Sequence, residues 1–111
     1  MTTITPALLL PTTDLGNADT SVYSPGTNTT AQLGRVVFCN TTASAITITA
    51  GITSGGALGA FPMINARTLA PGESYVSPEL AGLVIPPTFQ LHAFASAGAS
   101  VTITVSGVLI Q

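Results

Sequence analysis

The sequence predicts an all-β protein: a single antiparallel β-sandwich or small jelly roll of about seven short strands, preceded by an extended N-terminal arm. Three observations carry this. Apolar and polar residues alternate with a period of two from Leu33 onward, and Gly- and Pro-containing turns punctuate the alternation at intervals of about ten residues. No stretch carries the apolar stripe of an amphipathic helix. β-branched Thr, Val and Ile fill the candidate strands, as a half-buried pleated surface favours.

Residues 1–20 read as the arm and residues 21–111 as the sandwich domain. Pro6, Pro11 and Gly16 interrupt any regular element in the arm. Ile4, Leu8, Leu9, Leu10 and Leu15 nevertheless make it too apolar for a disordered tail. Such an arm lies across a partner or along its own domain. A first short strand is expected at 20–24, ended by Pro25-Gly26. Residues 33–40 form the next, linked through polar 41–44 to 45–49, whose strict alternation marks a half-buried antiparallel strand. Residues 51–59 are a Gly-rich loop, and 61–69 a further strand with Pro62 at its start or on an edge.

Ala70-Pro71-Gly72-Glu73 has type II turn chemistry: Pro presets the second position and Gly supplies the positive φ of the third. Residues 63–69 and 74–77 are therefore expected as a hairpin. Residues 78–85 turn a corner into a short strand closed by Pro86-Pro87. Residues 88–95 are expected to pair with 100–105 across 96–99. Val101, Ile103 and Val105 share one face, Gly107 intervenes, and Val108 and Ile110 follow on the other parity, which predicts a β-bulge at Gly107.

The charge content is the strongest compositional signal. Arg35, Arg67, Asp14, Asp19, Glu73 and Glu79 are the whole inventory, 5% of 111 residues, with no lysine. Soluble chains carry charge on about a quarter of their residues, which keeps them dissolved and blunts exposed sheet edges. A chain without it is expected to spend its life against other protein. Two arginines cannot neutralise a run of phosphates, which argues against nucleic acid, and they cannot build a basic membrane-surface helix. The longest aliphatic clusters, 7–10 and 83–85, end at prolines and fall far short of the roughly 20 residues of a membrane span. Residues 1–6 lack the basic start of a secretory signal, so the chain is expected to be kept in the cell that makes it.

Chemistry-bearing residues are few. Cys39 is the lone cysteine and sits in a strand-like run, as a small buried hydrophobe would. His92 is the lone histidine, on the strand face opposite Leu91 and Ala93. No ligand set of metal-site spacing accompanies either, and the 14–19 segment lacks the closing glutamate of a calcium loop. Glu73 and Glu79 are expected to pair with Arg67 or Arg35 as structural ion pairs rather than act as an acid/base couple. No nucleophile elbow and no phosphate loop is present, so neither enzyme activity nor a cofactor or metal is expected. Asn28-Thr29-Thr30 and Asn40-Thr41-Thr42 match the glycosylation pattern, which arises readily in a threonine-rich chain.

The runs 35–49 (Arg-Val-Val-Phe-Cys-Asn-Thr-Thr-Ala-Ser-Ala-Ile-Thr-Ile-Thr), 69–75 (Leu-Ala-Pro-Gly-Glu-Ser-Tyr) and 101–108 (Val-Thr-Ile-Thr-Val-Ser-Gly-Val) resemble small virion proteins of tailed bacteriophages, head decoration or cement proteins among them. The resemblance covers about Val22 to the C-terminus and departs at Pro86-Pro87, where such chains tend to turn with glycine. It implies a β-sandwich that sits on the capsid as a homo-oligomer, a trimer by preference, and binds between subunits of the major capsid protein or to another virion protein. Location in the virion, after assembly in the host cytoplasm, follows from it. Leu8, Leu9, Leu10 and Leu15 would then anchor the arm on the partner. Two other functions fit the same features: a tail, neck or fibre-attachment adaptor, or a receptor- or glycan-binding module using Tyr23 or Tyr75.

Overall fold

The structure is a computed structural model that describes residues 3–54 and 63–111. Nine strands form among them: β1 Ile4–Asp14, β2 Ser21–Tyr23, β3 Thr30–Asn40, β4 Ile46–Thr53, β5 Ile64–Leu69, β6 Ser74–Val76, β7 Val84–Ile85, β8 Gln90–Ala95 and β9 Val101–Ile110. All pairings are antiparallel and they nest: β1 with β9, β2 with β8, β3 with β6 and β7, β4 with β5. Rolling up such a nested ribbon brings β3 against β9 and β4 against β8. Two sheets result, β1-β9-β3-β6 with β7 also on β3, and β2-β8-β4-β5. This is jelly-roll topology.

β6 and β7 lie end to end along the same side of β3. Between them the amides of Ser77 and Gly82 donate to the carbonyls of Val36 (2.9 Å) and Leu33 (2.6 Å). They are one edge strand interrupted by a loop, so the expected seven strands become eight in topology and nine in segments.

The two expected hairpins do not form. The 70–73 turn is present, with the Glu73 amide donating to the Ala70 carbonyl at 3.0 Å and Gly72 at φ 72°. It carries the chain from β5 in one sheet to β6 in the other. Residues 96–99 likewise carry it from β8 to β9 across the sandwich. Alternation tells which face of a strand is apolar but not which strand lies beside it, and each of these strands finds its apolar partner on the opposite sheet. Residues 55–62, which include part of the expected 51–59 loop and the start of the expected 61–69 strand, lie outside the described residues.

The core lies between the sheets. Val36 and Phe38 of β3, Ile48 of β4, Leu91 and Ala93 of β8, and Val101, Ile103 and Val105 of β9 alternate inward and are fully buried. Leu15 and Leu80 plug it from loops. Asn40 ends β3 with no exposure, and its side-chain amide donates to the carbonyls of Ser44 (2.7 Å), Ala70 (3.2 Å) and Leu69 (3.3 Å). Its Oδ1 accepts from the amide and hydroxyl of Thr42. One side chain thus ties the β3–β4 crossover to the β5–β6 turn.

Residues 4–14, read from sequence within the arm, are extended and lie along their own domain as edge strand β1. Pro6 and Pro11 fit an edge, where a missing amide costs no ladder bond on the open side. The bulge expected at Gly107 falls on its neighbours instead: Gly34 is the extra residue of β3 and Leu9 that of β1, while β9 runs through Gly107 without a change of parity. Gly107 is required for another reason. A Cβ there would stand 2.1 Å from the Gln32 carbonyl oxygen.

Candidate interaction surface

Partners in a ladder share a face, so register fixes what the β1-β9-β3 sheet presents outward. Level with one another are Ile4 and Ile110, then Pro6, Val108, Gln32 and Val84, then Leu8, Ser106 and Arg35. Val37 and Val76 follow, paired across β3 and β6. Ile4 (64%), Leu8 (59%), Val84 (47%) and Val76 (45%) are four of the five exposed large hydrophobic residues among those described. No described residue covers this face. Arg35 and, at its far end, Asp14 opposite Thr102 are its only charges among the described residues.

The four arm leucines separate. Leu8 points outward and is exposed, whereas Leu9 and Leu10 are half-buried against the core. Leu15 is 1% exposed. Its amide donates to the Val101 carbonyl (2.8 Å) and its carbonyl accepts from the Ala99 amide (3.1 Å), so it is a core plug, and burial takes it out of reach of a partner. The sequence reading missed Ile4, Pro6, Val108 and Ile110 as members of one surface. Their signal was there: apolar residues at 4, 6 and 8 alternate as a strand does, and 108 and 110 take the outer parity of β9.

The expected arginine–glutamate ion pairs do not form among the described residues. Glu73 instead accepts from the Ala70 amide at 2.7 Å and closes its own turn. Arg67, on β5, lies over the Tyr75 ring of β6 at 4.0 Å, a cation–π contact that joins the edges of the two sheets. The Tyr75 hydroxyl donates to Glu79. That bond holds the Glu79 carboxyl below the usual carboxylate range, while burial first, then Glu79, push the Tyr75 hydroxyl above its own. The guanidinium thus meets the carboxylate through the ring between them. With Arg67 against one face, Tyr75 is not a free platform for a sugar, and Tyr23 is packed against the core. Arg35 stands exposed on the sheet face described above.

His92 is 6% exposed, with Nδ1 2.8 Å from Asp19 Oδ1 and Nε2 3.1 Å from Gln90 Oε1. The pair fastens residues 16–20 to β8, alongside backbone bonds from Ala93 to Thr20 and from Ala95 to Gly16. No group of three or more His, Cys, Asp or Glu converges as a metal site among the described residues, and no described helix is long and apolar enough to cross a membrane. Cys39 is half-buried on the outer face of β3.

No family model matches the sequence, and no curated protein matches it. Solved structures do match in fold. A chain in the structure of infectious bursal disease virus strain Gx superposes with a TM-score of 0.56 at 17% identity over 99% of this chain. The crystal structure of the VP2 subviral particle of that virus gives 0.55 at 16% over 98%, and strain Gt gives 0.51 at 13% over 98%. This chain spans about a third of theirs, 32%, 32% and 31% respectively. At such identities the likeness is one of fold: a jelly roll of this size recurs within those longer chains.

Proposed function

We propose that this chain is a structural protein of a tailed-bacteriophage virion, a decoration or cement protein that stabilises the head by binding between major capsid subunits. The observation that carries the reading is a jelly roll whose largest sheet has an apolar, nearly uncharged outer face that no described residue covers. Two features support it. Solved structures with this fold include those of a virus and of its subviral particle, and the strand and turn motifs resemble phage virion proteins.

Attachment works by burial. Apolar area removed from water contributes about 25 cal/mol per Å², and many copies on a symmetric shell multiply a modest contact through avidity. Ile4 and Leu8 are the anchors, and Leu9, Leu10 and Leu15 hold β1 in place by packing on the chain's own core. Copies associate with one another as well, and three is the number that the resemblance implies. The reading needs no cofactor and no catalytic group.

Quantitative mass spectrometry of purified particles tests this. The expected result is a copy number comparable to that of the major capsid protein. A few copies per particle would make the chain a tail or neck adaptor, and its absence from particles would end the proposal.

A further inference from the structure

We propose that the capsid subunit against this face meets Arg35 with a carboxylate set among apolar residues, so that one enclosed arginine–carboxylate pair selects the partner that the apolar area holds. The inference rests on the attachment reading above and names the chemistry of its partner.

Arg35 stands near the middle of the face. The outward residues of β9, in order Ile110, Val108, Ser106, Thr104 and Thr102, mark five rows across the sheet, and Arg35 lies on the third, beside Ser106 and Leu8. Val108, Gln32 and Val84 occupy the row on one side of it, and Val37 and Val76 the row on the other. An arginine central in an apolar patch is the usual composition of a binding hot spot.

No carboxylate of the chain answers it. The only ion pair among the described residues joins His92 to Asp19. Glu73 accepts from the Ala70 amide, and Glu79 accepts from the hydroxyls of Tyr75 and Ser77. Asp14 pairs with Thr102, and four residues of β9 separate that position from Ser106, about 13 Å along the strand. Those are all the acidic residues of the sequence. The counter-charge therefore comes from outside the chain.

Physical chemistry makes it a requirement. Seating a partner on this face takes the guanidinium out of water, and a charge buried without a partner costs more than nearby apolar contacts return. A carboxylate can take two parallel N–H···O bonds from the guanidinium and offset that cost. A surface that is apolar but lacks the carboxylate is rejected, which turns a sticky face into a selective one. One arginine suits a single carboxylate and not a run of phosphates. Asp14 makes no such demand: it lies on the last row, on edge strand β1, where it can keep its water at the rim. Because apolar residues enclose the pair, salt screens it little.

Binding of the purified chain to particles that lack it tests the pair, with wild type, Arg35→Met and Arg35→Lys compared. Arg35 is exposed, so both variants should melt as the wild type does. Arg35→Met leaves the partner's carboxylate enclosed and unpaired, and should weaken binding about thirtyfold or more. Arg35→Lys keeps the charge and loses only the two-pronged geometry, so it should bind better than Arg35→Met. The sequence contains no lysine, so Arg35→Lys also supplies its one lysine amine. A carbodiimide, which joins amine to carboxylate without a spacer, should couple that amine to an acidic residue of the major capsid protein, identified by mass spectrometry. Arg35→Met binding as tightly as wild type, or Arg35→Lys coupling to Asp14 of a second copy or to no capsid carboxylate, would overturn the inference and leave attachment standing. Particles that bind no wild-type chain would overturn both.

Discussion

At the residue scale the fold rests on a few positions where chemistry leaves little choice. Gly107→Ala places a methyl 2.1 Å from the Gln32 oxygen, so β3 and β9 must part. The expected loss is about 3 kcal/mol by chemical denaturation, the upper range for overpacking. Gly16→Ala, with nothing within 4 Å, should stay within about 0.5 kcal/mol of wild type. Asn40→Ala leaves the carbonyls of Ser44, Leu69 and Ala70 without their donor, and should cost about 1–3 kcal/mol. The Tyr75–Glu79 bond gives a pH signature. A carboxyl held low in the folded state adds stability that is present above its unfolded pKa and lost as pH falls through the folded value. Tyr75→Phe keeps the ring under Arg67 and removes the hydroxyl. The wild type should exceed it by no more than about 1 kcal/mol at neutral pH, because the site is exposed and screened, and the gap should close as glutamate protonates. A gap that persists in acid would assign the difference to packing.

At the scale of elements, sequence told which residues are strands better than it told which strands are neighbours. Val101, Ile103 and Val105 face the core as their alternation requires, and Pro71-Gly72 makes its turn. Whether a turn folds a strand back beside its predecessor or carries it to the opposite sheet depends on partners far away in the chain. β5 and β6, and β8 and β9, resolve that choice by crossing. β1 was harder to read because two prolines and two register shifts break its pattern, and its pairing with β9 spans nearly the whole chain. Of the interaction surface, the apolar parity of 4, 6 and 8 was legible. Its continuity with Val84 and Val76 was not, since only register makes these residues neighbours. Deleting residues 1–19 removes β1, the Leu15 plug and the Asp19 partner of His92 together. The expected outcome by circular dichroism is loss of the cooperative melting transition. A truncated chain that still melts cooperatively would mean that β9 can serve as an edge.

At the scale of the molecule, near-absence of charge and jelly-roll topology point the same way. Threonine, serine and asparagine do the polar work on outward faces, where packing against another surface requires little desolvation of ions. Attachment that depends on apolar area should resist screening, so low-salt and high-salt washes of particles should release the chain about equally. Steep release by salt would assign the contact to Arg35, Arg67 and the carboxylates instead. The central claim, a protein that fits against other proteins on a phage head, is tested most directly by imaging. Electron cryomicroscopy of particles carrying a labelled copy of this chain should place the label across the head surface, between major capsid subunits. Label confined to the tail or neck, or particles without label, would contradict it.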